Sequence, residues 1–366
     1  MSISERVDHV VERLWYDEGI VARIGRAFLV PAERAYAAVV SRRNAVFDAQ
    51  PTRRGVLAAL SVGNVTVGGT GKTPVAAWCA GRLRALGGRP AIVLRGYGDD
   101  EWRVHALLNP GASVIVTPDR NAGLVIARTR GSDCAVLDDA FQHRRAPRVA
   151  DIVLVSADRW SETARLLPAG PYREPLTSLR RADVIAITIK AADQTRVESV
   201  IRAVTDAAPR VPVAIFRIRH DTLRLAVALP RDGSGPRLND DRTGLLSHPA
   251  RWLDGRPVIV ASAIGDPRAF EAQLRAAGAV IRRVHRFPDH HTFQPSDAMA
   301  IAAGVDGVTD VVCTLKDAVK LAPLWPRQAA TLWYLSQTVL VDRGADVLDR
   351  VFARVLAARD ASSPTA

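Results

Sequence analysis

At 366 residues with 48% apolar side chains, the chain is long enough for two packed domains and too apolar to be disordered. Cys79, Cys134 and Cys313, far apart and without a CxxC pair, exclude a disulfide framework and a thiolate zinc site. Lysine and arginine number 50 against 38 acidic residues, a net +12 that asks for anionic partners, yet without helix-turn-helix, zinc-finger or RNP signatures nucleic acid is not expected.

The N-terminus carries Glu5, Asp8, Glu12, Asp17 and Glu18 and no cleavable signal pattern, so secretion is not expected. From 19 to 50, Ile20, Val21, Ile24, Phe28, Leu29 and Val30, then Tyr36, Ala37, Val39 and Val40, recur at helical spacing. Arg23, Arg26, Arg34, Arg42 and Arg43 punctuate them. No run reaches the ~18 uncharged apolar residues of a spanning helix. Periodicity leaves two readings open: an amphipathic helix lying in a membrane interface, or a helix docked on the protein's own core.

An apolar strand at 56–62 leads into Val67, Gly68, Gly69, Thr70, Gly71, Lys72, Thr73 and Pro74, followed by a helical segment at 75–86. This is a phosphate-gripping loop between a strand and a helix N-terminus, where backbone N–H groups and the helix dipole converge on an anion. Lys72 is suited to the β/γ-phosphates of a nucleotide and the Thr73 hydroxyl to Mg²⁺. Thr66 stands where the usual first glycine would be, so the loop is a variant.

Strands at 91–94 and 112–116 follow, then 134–137, which ends in Asp138 and Asp139 and looks like a strand carrying Mg²⁺ ligands. Gln142 and His143 offer an amide and an imidazole beside these carboxylates. A stiff loop from Pro168 to Pro175 can present Arg173 to a phosphate, or pair Arg173 with Glu174 structurally. Further strands at 152–155, 184–189 and 213–216 complete the pattern of a mainly parallel, doubly wound α/β sheet. Residues 230–244 read as a polar loop. A second, smaller α/β set is then expected: strands at 258–261, 280–284 and 311–314, with helices at 267–277 and 296–303. The expected divisions are an N-terminal helical segment at 1–52, a P-loop core at 53–229 and a C-terminal α/β domain at 230–355, ahead of a frayed tail from 361.

Six ordered blocks carry a resemblance: Gly63 to Pro74, Arg95 to Gly98, Asp138 to His143, Leu167 to Pro175, Phe287 to Phe293 and Thr314 to Lys320. Together they resemble the tetraacyldisaccharide 4'-kinases of lipid A biosynthesis, over residues from about 10 to 350. The resemblance implies ATP- and Mg²⁺-dependent phosphorylation of the 4'-hydroxyl of an acylated glucosamine disaccharide 1-phosphate. It also implies a peripheral enzyme on the cytoplasmic face of the bacterial inner membrane, which favours the interfacial reading of 19–50 and gives the arginines a phosphorylated lipid surface to meet.

By the same resemblance, Asp100 matches the catalytic base, with Asp99 competing because the segment after Gly98 is short. His290, the first of two histidines, matches the partner of that base, and Glu101 is a Mg²⁺ neighbour alongside Thr73, Asp138, Asp139 and His143. Arg95, Tyr97, Gln142 and Arg173 are candidates for the substrate side. Leu315 stands where the family has Glu, so no role passes to it, and Lys316 is left to dock nucleotide, close the domains or sit on a surface. The alternative reading is a P-loop nucleotide-dependent switch or metal-insertion GTPase acting on a protein partner. Thr314, Leu315, Lys316 and Asp317 lack the spacer of a guanine-reading block, which favours the kinase.

Overall fold

The computed structural model describes residues 10–11, 13–17, 19–50, 55–96, 101–226, 247–264, 267–288, 291–303, 309–326, 329 and 331–360. Tyr97, Asp99, Asp100 and His290, the loop at 230–244 and the tail from 361 lie outside them. In chain order the elements are α1 (Ile20–Asp48), β1 (Ala58–Asn64), α2 (Lys72–Ala85), β2 (Pro90–Leu94), α3 (Glu101–Leu108), β3 (Ser113–Val116), α4 (Arg120–Thr129) and β4 (Cys134–Asp138). There follow β5 (Ala150–Ser156), β6 (Val184–Ile189), α5 (Gln194–Ala207), β7 (Val213–Leu225), β8 (Ser247–Pro249), β9 (Pro257–Ser262), α6 (Pro267–Ala276) and β10 (Val280–Arg286). The chain closes with α7 (Pro295–Ala302), β11 (Asp310–Thr314), α8 (Leu315–Leu321), β12 (Leu332–Arg343) and α9 (Ala345–Asp360). Two compact units emerge: described residues 96–112 and 219–338 form the smaller, and the rest form the larger.

In the larger unit the strands run β7, β6, β5, β1, β4, β2, β3, and every neighbouring pair is parallel. β1, β2, β4 and β6 are buried along their whole length, which is why they read as unbroken apolar runs rather than alternations. α2 packs on β2 and β4, α4 on β2 and β3, α5 on β6 and α9 on β1. β1 lies where the order of strands reverses direction, with β4 on one side and β5 on the other. Ligand crevices of doubly wound sheets open at that point, beyond the strands' C-terminal ends.

α1 is one continuous helix with Pro31 inside it. It belongs to the larger unit, and its two halves differ. From Glu33 onward it is fastened to the body: Glu33 accepts from Leu166 N (2.8 Å) and Arg165 Nη1 (2.9 Å), and Asp48 accepts from Arg144 Nη2 (2.6 Å). Its first turns instead expose Ile20, Val21, Ile24 and Phe28, the last at 81%.

The smaller unit has its own parallel strands in the order β10, β9, β11, β12. Val104 of α3, Phe293, Ile301 and Leu315 fill the core on one set of strand residues, while Phe270, Leu274 and Trp333 belong to a second cluster. β7 was expected over 213–216 and extends to Leu225; β12 and α9 were not anticipated. The extension of β7 buries only Ile218 and Leu223 instead of forming an apolar run, and there His220 and Asp221 bond Gln337 and Thr338 of β12. Sparse burial with polar cross-strand pairs marks a half-covered sheet, a weaker signal than the runs upstream.

Candidate active site

β1 delivers the chain to the glycine-rich loop, and α2 begins at Lys72. Gly68 (φ 106°) and Gly71 (φ 86°) take the left-handed backbone that favours glycine, and a Cβ on Gly71 would run into the Ile218 side chain. Gly71 is the N-cap of α2, so the unpaired N–H groups of the first helical turn open toward the loop. Pro74 sits in that turn, where its missing N–H costs no helical bond.

Side chains and neighbouring backbone hold the loop in shape. Val67 N donates to Pro171 O at 2.8 Å and Asn64 Nδ2 to Thr70 Oγ1 at 2.9 Å. Thr188 Oγ1 donates to Thr70 O at 2.9 Å, and Lys190 Nζ to Gly69 O at 3.4 Å. Asn64, Thr188 and Lys190 were not among the expected site residues. Their signal was available: polar residues at the C-terminal ends of β1 and β6 belong to the edge of the sheet where the loop lies.

β4 ends in buried Asp138, whose backbone carbonyl accepts from Arg120 Nη2 at 3.2 Å. Asp139 then turns with φ 51°, and its carboxylate lies 3.6 Å from Lys72 Nζ. Arg173 Nη1 donates to both Asp139 oxygens, at 3.1 and 3.2 Å. Burial pushes this carboxyl up, but Lys72 and Arg173 together outweigh it and hold Asp139 below the usual carboxylate range. Arg173 is also tied through its backbone N to Val65 O (2.7 Å), and Gln142 Nε2 donates to Asn64 O (2.8 Å). Lys72, Asp139, Arg173 and Gln142, expected from three motifs, thus gather around the loop that follows β1.

His143 is half-buried, and burial with the nearby Arg120 and Arg148 guanidinium groups lowers its pKa, so the imidazole is neutral at neutral pH. Arg95 is exposed just after β2. Glu101 opens α3 and belongs to the smaller unit. There His291 is engaged: Nε2 is 3.0 Å from Asp297 Oδ2, its ring stacks on Phe287 with centroids 4.9 Å apart, and Lys320 Nζ donates to its carbonyl.

Among the described residues no group of three or more His, Cys, Asp or Glu is arranged to hold a metal alone. Thr73, Asp138 and Asp139 supply only oxygen donors, the set a hard cation such as Mg²⁺ takes when phosphate oxygens and water complete its shell. The arrangement is thus chemically suited to a polyphosphate: N–H groups and a lysine for its oxygens, and carboxylates for a counter-cation.

Residues 25–356 match the family model of tetraacyldisaccharide-1-P 4'-kinase. The chain belongs to this family. A tetraacyldisaccharide 4'-kinase of Anaeromyxobacter sp. (strain K) is 34% identical over 394 residues, covering 97% of each chain. That of Anaeromyxobacter dehalogenans (strain 2CP-1) is 35% identical over 390 residues, covering 95% of each. The crystal structure of an "apo" form of LpxK from Aquifex aeolicus in complex with ATP matches with a TM-score of 0.64 at 25% identity, over 90% of this chain and 99% of that one. The chain is therefore a kinase of the tetraacyldisaccharide 4'-kinase family with a P-loop α/β fold, as the ordered motifs implied.

Proposed function

We propose that this kinase transfers the γ-phosphoryl group of ATP to the 4'-hydroxyl of a tetraacylated glucosamine disaccharide 1-phosphate. The observation that carries the reading is the cluster of Lys72, Asp139 and Arg173 around a loop with left-handed Gly68 and Gly71. Val67 to Pro74 cradle the triphosphate, with Lys72 moving from Asp139 onto the β/γ-phosphates. Thr73, Asp138 and Asp139 hold Mg²⁺, with Glu101 and His143 as its neighbours; when bound, the ion neutralises charge on the transferring phosphate. Asp100 accepts the 4'-hydroxyl proton as the oxygen bonds to the γ-phosphorus and the bond to ADP breaks, and His290 orients Asp100 and balances its charge. Arg95, Tyr97, Gln142 and Arg173 serve the substrate side.

The lipid reaches the enzyme at a membrane surface in this reading. Val21, Phe28, Val39 and Val46 recur along α1 at multiples of about 3.6 residues and share one exposed stripe, with Ile24 beside it. Arg42 sits beside that stripe, and Arg23 and Arg34 are exposed further round the helix; all three suit anionic head groups. No helix among the described residues is long and apolar enough to cross a membrane. Peripheral association with the cytoplasmic face of the inner membrane is the arrangement we propose. The GTPase alternative has no supporting observation: Asp317, the carboxylate of its candidate block, is buried and accepts from Thr314 Oγ1 (2.6 Å) and Ala263 N (3.2 Å).

The test incubates the full chain with γ-labelled ATP and the disaccharide 1-phosphate, with and without Mg²⁺. Label at the 4'-position is expected only with the cation. Label elsewhere on the lipid, or release of labelled phosphate with no lipid product, would overturn the assignment.

A further inference from the structure

The face of α1 turned toward the body carries more than packing. Glu33, Tyr36, Val40, Arg43, Asn44, Phe47 and Asp48 recur every three to four residues and so share one face, away from the exposed stripe. Their polar groups fall on the two loops that supply the active-site side chains. Tyr36 Oη donates to Arg173 O at 3.0 Å, and Asn44 Nδ2 to Glu174 Oε2 at 2.9 Å. Arg43 Nη2 donates to Gln142 O, and Arg144 Nη1 returns a bond to Asn44 O at 3.0 Å. Glu174 is 1% exposed and takes a second donor from Arg181 at 2.8 Å, so the loop is anchored through a buried carboxylate that α1 helps to satisfy.

Arg173 is consequently held at three points. Its N donates to Val65 O, its carbonyl accepts from Tyr36, and its guanidinium spans both oxygens of Asp139. With the peptide on either side of its Cα fixed, the side chain has one direction to leave in, and that direction ends on the carboxylate beside Lys72.

We propose that α1 is a positioning element of the active site, in which Tyr36, supported by Asn44 at Glu174, aims Arg173 at Asp139. The helix offered to lipid on one face thereby orders the catalytic corner with the other. Tyr36 acts through Arg173 and touches neither nucleotide nor lipid. The proposal rests on the reading above that Arg173 serves the substrate side of the phosphoryl-transfer site, and the experiment separates the two.

Turnover with ATP and the disaccharide 1-phosphate in mixed micelles is measured for the full chain, Tyr36→Phe, Arg173→Ala and the double variant, each with a thermal melt. Tyr36→Phe keeps the ring and removes one hydroxyl. It is expected to lower kcat about three- to tenfold, since small misplacements of a charged group are costly in phosphoryl transfer, while both KM values and the melting curve stay near those of the parent. In the Arg173→Ala background the same change is expected to do nothing further. An equal loss in both backgrounds would mean that Tyr36 only supports the fold, and parental kcat in Tyr36→Phe would remove the role altogether. Parental turnover in Arg173→Ala would instead remove the site reading, and the positioning role with it. Should Tyr36→Phe melt early, turnover of all four proteins measured well below its melting temperature, with Asn44→Asp added as a second variant of the same contact, gives a second readout. Parental kcat in both Tyr36→Phe and Asn44→Asp under those conditions overturns the proposal.

Discussion

At the C-terminal ends of β1 and β4, Lys72 and Arg173 converge on one carboxylate, both within 3.6 Å of Asp139. Along the exposed stripe of α1, Val21, Phe28, Val39 and Val46 follow one another with no comparable fixing of any single side chain. In the first region each charge has one position, set by glycine backbone and opposite charge at short range. In the second, the property that counts is a sum of apolar area, to which the members contribute interchangeably. Single substitutions should therefore be decisive in the corner and graded on the helix.

The largest effect is expected from Lys72→Ala, a loss of about 10³-fold or more in phosphoryl transfer, since a phosphate counter-charge is removed from a preorganised site. The label-transfer assay reads it, and a melting curve near that of the parent shows that no core volume was lost. Retained turnover would dissolve the distinction between the two regions.

Gly71→Ala should come next and act on both stability and rate. A side chain at φ 86° that also meets Ile218 costs about 1–3 kcal/mol, and the local shift displaces Lys72. Urea melts and kcat measured together should fall together; a loss of stability with intact turnover would mean that the loop tolerates displacement.

On α1, Val21→Asp with Phe28→Asp should weaken co-sedimentation with anionic vesicles by about tenfold or more, because two exposed side chains can each gain about 1.5–3 kcal/mol on burial in lipid. Apparent KM for vesicle-borne lipid should rise while ATP affinity stays unchanged. Either single variant should give an intermediate result, and one residue carrying the whole effect would contradict the additive picture.

The smallest effect concerns His143. Its pKa is lowered in the folded protein by burial and by Arg120 and Arg148, so the unfolded chain binds the proton more readily. Stability from this group is complete above the ordinary histidine value of about 6.5 and is lost as pH falls through the folded value. His143→Gln should flatten the decline in melting temperature below about pH 6.5, modestly, since the ring is half exposed and water screens it. An identical decline in both proteins would show that other groups dominate.

How much was legible in the chain varies from element to element. β2, β4 and β6 were read nearly to their ends because strands buried on both faces are unbroken apolar runs. The loop from Val67 to Pro74 was read because glycines, a lysine and a threonine at set spacing have few other uses. The outer part of β7 and the later part of β12 escaped because few of their residues are buried and their polar groups answer one another across strands. Lys190 escaped because its partner is a backbone carbonyl 121 positions away, which local pattern does not encode.

Local rules suffice for what depends on neighbours in sequence: the strand, turn and helix of the P-loop, the periodicity of α1, and the ordered motifs by which the family is recognised. The sequence alone thus determined the fold class and the family of the kinase. Tertiary structure decided which of the two carboxylates after β4 meets Lys72 and Arg173, that Thr188 and Lys190 steady the loop, and that α1 turns one face to the body and the other outward. The last was open from periodicity, because an apolar stripe and a polar stripe at the same spacing fit a membrane or a core equally well. The placement of Glu33, Tyr36 and Asn44 against Leu166, Arg173 and Glu174 distinguishes the docked face, since hydrogen bonds between residues more than 100 positions apart are made by packing and not by propensity.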